Sequence, residues 1–205
     1  HKGGEVASRI AVETISRRIG ERLQSGEGKS DPDDLIREAI READDRIRGL
    51  AGADPALQDM GTTLVMALCR GDAIHLAHAG DSRAYRVRNG AMLQLTEDHS
   101  LVAEMLKDGE LTKEDAVHFR LRHVVTRSLG HGSASDVEQT LAGWQRGDHL
   151  LLCSDGLTNM VGDAELHAVI AAGGADVEQA CREAIGRANL HGGKDNITAA
   201  LAYYD

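Results

Sequence analysis

Ala7, Ala11, Ile15, Ile19 and Leu23 recur at every fourth position between residues 5 and 24, which lines them along one face of a helix. The polar stretch 25–30 reads as a loop. A second helix announces its own start: Asp31 can cap it, Pro32 suits its first turn, and Asp33 and Asp34 favour its positive end. Ile36, Ile40, Ala43, Ile47 and Leu50 then step along one buried face. The period changes after Gly61-Thr62-Thr63. Residues 64–69 and 73–79 are apolar runs joined at Arg70-Gly71-Asp72, and 85–88 and 92–95 flank Asn89-Gly90, the strongest short hairpin signal. From Asp98 to Arg122 the chain is rich in charge. It predicts a short helix over 100–107, broken at Asp108-Gly109, and another opened by the Thr112/Asp115 capping pair.

Beyond that excursion, 123–129 returns to the body and 137–144 reads as a strand. The run His149 to Cys153 has the look of a strand buried on both faces. A helix is expected over 163–173. Asp176 with Gln179 caps the last helix, whose face is Val177, Cys181, Ala184 and Ala188, with Gly192 as its stop. The final strand starts near Asp195 and ends near Tyr203. Antiparallel strands that are dry on both faces need a cover on each side. Helices supply one cover and a second sheet the other. The expected fold is therefore α+β, a four-layer α-β-β-α sandwich of two antiparallel sheets flanked by helices. At 205 residues it is read as a single domain, 1–205.

Composition narrows the function. The balance of 23 basic against 33 acidic residues leaves a net charge of −10, which argues against a nucleic-acid partner and against a membrane surface. No apolar run approaches the ~20 residues of a membrane span. Cys69, Cys153 and Cys181 lie in apolar patterns with no metal-knuckle spacing, which suggests plain packing in a reducing cytoplasm. The chain begins at His1 without a methionine, and upstream residues are expected.

The candidate chemistry lies in three acids. Asp81, Asp155 and Asp195 each stand at a predicted strand end, near a glycine. Carboxylates gathered in this way repel one another unless a cation holds them, and hard divalent ions suit oxygen ligands. Gly156 lets backbone come close to Asp155. Histidines are weaker candidates. His75 and His78 point to opposite faces of one strand and cannot chelate an ion together; His99 is placed to fix its own loop; His191 caps a helix. No Gly-x-Ser-x-Gly elbow supports a serine hydrolase at Ser82 or Ser154.

Seven stretches, in order, resemble the bacterial metal-dependent Ser/Thr protein phosphatases of the 2C type (PPM family): HKGGEVAS at 1–8, GTT at 61–63, AGDSRAY at 79–85, TEDHSL at 96–101, TRSLG at 126–130, CSDGLT at 153–158 and GGKDNIT at 192–198. The resemblance implies the same paired-sheet fold and a signalling role in dephosphorylation. The reaction would be hydrolysis of phosphoserine and phosphothreonine on proteins by a metal-activated water at a dinuclear Mg/Mn centre. Asp155 and Asp195 would be the catalytic ligands of two core Mn²⁺ or Mg²⁺ ions, and Asp81 with Asp155 would hold a third, weaker ion. Ser154, Gly156 and Asn196 would shape the site. Residues from about 101 to 122 would be the family's flap, and the partners phosphoproteins served by a cognate Ser/Thr kinase. The family pattern also carries an Asp-Gly pair ahead of the position of His1 and an arginine further upstream that grips substrate phosphate. The chain as it stands is thus expected to be N-terminally incomplete, with a partial metal site and steeply reduced metal affinity, so that the complete form is active and this fragment alone is silent. The alternative is a catalytically silent regulatory or binding module on the same fold.

Overall fold

The computed structural model describes residues 3–25, 31–116, 118–131 and 136–205, so most of the predicted 25–30 loop, and His1 and Lys2 of the first motif, lie outside the described residues. In chain order the elements are α1 (Gly4–Gln24), α2 (Pro32–Ala53), β1 (Leu64–Arg70), β2 (Ala73–Ala79), β3 (Arg83–Arg88), β4 (Ala91–Gln94), α3 (Leu101–Lys107), α4 (Lys113–Ala116), β5 (Glu138–Gly143), β6 (His149–Cys153), α5 (Asp155–Thr158), α6 (Asp163–Gly173), α7 (Val177–Leu190) and β7 (Ala199–Tyr203). The strands form two sheets, of order β1-β2-β5 and β4-β3-β6-β7. The class is α+β, with two antiparallel sheets flanked by helices.

The chain divides into two compact units: His1–Leu64, Ala77–Gly80 and His99–Gln139 form the first, and Val65–Leu76, Asp81–Asp98 and Thr140–Asp205 the second. In the first, α1 packs on α2. Ala7, Ala11 and Ile15 of α1 are buried, as are Leu35, Ile36, Ala39, Ile40, Ala43 and Ile47 of α2. The α2 cap forms as expected, with Asp31 Oδ1 accepting from Asp33 N at 2.9 Å. The apolar stripes stop short of the helix ends, since Leu23 and Leu50 are exposed. Two buried polar side chains were not foreseen. Thr14 accepts from Arg46 Nη1 at 2.8 Å, and Asp44 accepts from Gly130 N at 2.8 Å. Arg17 and Arg18 pair with Glu42 and Glu38 across the two helices. Such exposed pairs contribute about 0–1 kcal/mol each, against about 1.5–3 kcal/mol for a buried Leu or Ile, so the apolar seam carries the helix pair.

In the second unit the alternation of β3 and β6 sorts side chains between two cores. Ala84 and Leu150 point one way and pack with Ile74, Leu76 and Trp144. Tyr85, Val87, Leu151 and Cys153 point the other way and pack with Leu166, Val169 and Ile170 of α6 and Ala184 and Ala188 of α7. The hairpin turn is as predicted, with Asn89 at φ 50° and Gly90 at φ 77°. Arg88 Nε and Nη2 donate to the two oxygens of fully buried Asp148, at 2.7 and 2.6 Å.

Three details differ from the sequence reading. The buried face of α7 is Ala180, Ala184 and Ala188, with Cys181 and Val177 at its margin. Small residues win there because α6 and α7 approach closely: a Cβ on Gly173 would meet Ala180 Cβ at 2.7 Å. Cys69 is exposed near the end of an edge strand rather than packed. The last strand begins at Ala199, which leaves Asp195 in a bend four residues ahead of it.

Candidate metal centre

β6 delivers the central segment. Its apolar run ends at Cys153, Ser154 takes extended backbone (φ −78°, ψ 164°), and Asp155 opens the one-turn helix α5. That helix was not expected from the sequence. Asn159, one turn on, donates from Nδ2 to Asp155 Oδ2 at 3.0 Å and so orients the carboxylate. Ser154 Oγ accepts from Thr198 N at 3.0 Å and donates to Asn196 O at 3.2 Å, fastening the 195–198 segment to the end of β6. Gly156 completes the contact. A Cβ there would lie 2.3 Å from Asn196 O and 3.5 Å from Asp195 C, so only glycine allows this approach. Asp195 is exposed, and its Oδ1 accepts from Asn196 N at 2.7 Å.

Asp81 lies just before β3, whose Arg83 is opposite Cys153 in the β3–β6 ladder. Asp81 and Asp155 therefore come from the same end of the sheet. Burial pushes the Asp81 carboxyl up to about 6, and the Asp155 charge pushes in the same direction. A carboxyl whose ionisation is made costly by burial and by a neighbouring carboxylate, with oxygen donors only, has the chemistry that suits a hard divalent cation. The residues present fit Mn²⁺ or Mg²⁺ on that chemistry. Of the three predicted ligands, Asp81 interacts with Asp155, and the Asp195 backbone abuts Gly156. Their three carboxylates do not all come within 4.8 Å of one another.

Among the described residues one group of three does meet that spacing: His78, His99 and Glu138, all in the first unit. It is a hydrogen-bonded cluster rather than a cation site. His99 Nδ1 accepts from Gly80 N at 3.3 Å, and its Nε2 lies 3.3 Å from Glu138 Oε2. Arg127 Nη1 lies 3.2 Å from the same Nε2, where it would repel a metal ion. The His78 and His99 rings stack at 4.4 Å. His99 does not bond within its own loop as the sequence reading has it: its ring nitrogens face Gly80 and Glu138, 19 and 39 residues away, and neither these contacts nor the stacking on His78 of β2 carries a local sequence signal. The cysteines are free. Burial pushes the Cys153 thiol up to about 12 and the other two upward as well, which makes all three poor nucleophiles.

The protein phosphatase 2C family model matches residues 1–192. The chain belongs to the protein phosphatase 2C family. It is 39% identical over 203 residues to the serine/threonine phosphatase stp of Listeria innocua, spanning 98% of this chain and 79% of that protein. The crystal structure of the serine/threonine phosphatase PstP/Ppp of Mycobacterium tuberculosis superimposes with a TM-score of 0.86 at 30% identity, over 99% of this chain and 85% of that one. The PstP catalytic domain in complex with two manganese ions superimposes at 0.84, with 30% identity over 98% of this chain and 82% of that one. The resemblance drawn from the seven motifs is thus correct, and so is the fold drawn with it. This 2C-type phosphatase contains no helix, among the described residues, long and apolar enough to cross a membrane.

Proposed function

We infer that this chain hydrolyses phosphoserine and phosphothreonine on phosphoproteins, with Mn²⁺ or Mg²⁺ held by Asp155 and Asp195 and a further ion by Asp81 with Asp155. The observation that carries this reading is the corner where burial and the Asp155 charge make the Asp81 charge costly while the Asp195 segment lies against Gly156. Bound there, the cations would supply an acidified water and charge compensation for the phosphoryl oxygens. The chain's own residues do the holding. Asn159 orients Asp155, the Asn196 amide orients Asp195, and the Ser154 hydroxyl keeps the two segments in register. No covalent phosphoenzyme is needed, consistent with the inert thiols.

The excursion 101–122 is assigned as the family's flap; neither α3 nor α4 has a fully buried residue, in keeping with a segment at the surface. Residues 1–205 are read as one catalytic domain built of the two units. A cognate Ser/Thr kinase would supply the substrates, and the three free cysteines suit the cytoplasm.

The test is phosphate release from a phosphothreonine peptide with added Mn²⁺, on this chain and on one extended upstream through the Asp-Gly pair that the family pattern calls for. Release that EDTA abolishes, and that Asp155→Asn and Asp195→Asn each cut by at least about 100-fold, is expected. Mn²⁺ binding without release from the extended chain would instead make the protein a binding module on a phosphatase fold.

A further inference from the structure

Arg83 is the positive charge nearest in sequence to the Asp81 carboxylate and its charge acts on that carboxyl, but its hydrogen bonds go to Asp98 and Tyr85. Its Nε donates to Asp98 Oδ1 at 2.8 Å and Oδ2 at 3.1 Å, its Nη2 to Oδ2 at 2.6 Å, and its Nη1 to the Tyr85 hydroxyl at 3.0 Å. Tyr85, fully buried, passes its own proton toward Asp163 Oδ1 at 3.3 Å. Asp98 is held from its other side by Gln94 Nε2, which donates to Oδ1 at 3.1 Å. All of these residues belong to the second unit. Arg83 stands two residues after Asp81 and pairs with Cys153, two residues before Asp155. A guanidinium in that place pairs with Asp98 and acts through its charge on Asp81, at the sheet end that also carries Asp155. Unrestrained, it would pair with Asp81 or Asp155 and compete with any divalent ion for the same oxygens. The forked, charge-assisted pair with Asp98 is the geometry that best fixes a guanidinium.

We propose that Asp98 is a positioning residue for the cation site: by engaging Arg83 bidentately it keeps the guanidinium from forming hydrogen-bonded ion pairs with Asp81 and Asp155 in competition with a metal ion. This rests on the assignment of Asp81 and Asp155 as ligands made above. Asp98 is not a ligand itself, because both of its oxygens are taken.

The two halves of this ion pair therefore have opposite effects. Asp98→Asn releases Arg83 toward the ligands and weakens Mn²⁺ binding roughly tenfold, the scale of one unit charge acting on a divalent ion through partly aqueous surroundings. Arg83→Met removes the competitor, leaves the Asp98 charge in place and tightens binding by a similar factor. Arg83→Lys keeps the charge but loses the fork, so it moves in the direction of Asp98→Asn. A purely structural pair would make all three variants bind less well.

The experiment is Mn²⁺ titration of the purified 205-residue chain, followed by electron paramagnetic resonance of free Mn²⁺ and by the Mn²⁺-induced rise in melting temperature, with Asp155→Asn alongside. Opposite shifts for Arg83→Met and Arg83→Lys support the proposal, and they are read at a single position should Asp98→Asn fold poorly. Shifts in the same direction, or none, overturn it while the ligand assignment stands. Equal binding by Asp155→Asn and the unaltered chain overturns the ligand assignment, and the proposal with it.

Discussion

Gly156→Ala should damage fold and site together, although alanine is the better helix former. Gly156 lies in the single turn of α5, where propensity alone would favour alanine by about 0.5–1 kcal/mol. The new methyl would lie 2.3 Å from Asn196 O and 3.0 Å from its carbonyl carbon, both of them backbone. Reaching ordinary contact requires that carbonyl to retreat by about 1 Å, more than a core absorbs without strain. The same carbonyl accepts from Ser154 Oγ at 3.2 Å, and that hydroxyl accepts from Thr198 N at 3.0 Å. Overpacking of about 1–3 kcal/mol plus a lost hydrogen bond of about 1 kcal/mol outweighs the propensity gain and leaves a net loss of roughly 1–3.5 kcal/mol. For a chain of this size that is a fall in Tm of about 2–14 °C. The matched control is Gly186→Ala within α7, where the added Cβ meets nothing within 4 Å and the change should stabilise by about 0.5–1 kcal/mol. Calorimetry on both variants with and without Mn²⁺ is the assay. Gly156→Ala should also lose most of the Mn²⁺-dependent rise in Tm, since Asp195 moves with Asn196. A Tm for Gly156→Ala equal to or above that of the unaltered chain would refute the close approach and the site geometry built on it.

Two further outcomes follow from buried polar groups. Asp44→Ala strips the Gly130 amide of its 2.8 Å acceptor and should cost about 1–3 kcal/mol in urea unfolding, whereas Asp44→Asn, which keeps an oxygen there, should recover most of it; equal losses would discount the hydrogen bond. Asp81 has its folded carboxyl raised to about 6 by burial and by Asp155, against about 3.9 unfolded, so its contribution to stability is fully present below pH ~4 and is lost as pH rises through ~6. In EDTA that loss is at most about 3 kcal/mol, and it should be absent from Asp81→Asn, so the two melting curves diverge between pH 4 and 7 and Mn²⁺ reverses the unaltered chain's decline; parallel curves would remove the raised carboxyl from the account.

Legibility from the sequence followed the range of the interaction that fixed each feature. Elements set by local periodicity and local caps were readable to within a residue or two: Asp31 and Asp176 cap where expected, and α6 has the predicted bounds. The sheet-on-sheet layering was readable too, because β6 is apolar on both faces. What escaped depends on segments far apart in the chain. Asp44 is a polar residue at a helical core position, and nothing near it foretells an amide 86 residues away. Ala180 rather than Cys181 faces inward on α7 because Gly173 sets the spacing of the two helices. At the candidate site, the sequence could propose Asp81, Asp155 and Asp195, since each stands near a glycine and next to or shortly before an apolar run. It could not show that Asp98, read only as part of a loop motif, binds Arg83. Candidate ligands can be named from residue type and position, but the Asp98–Arg83 ion pair beside them joins residues 15 apart and has no local signal.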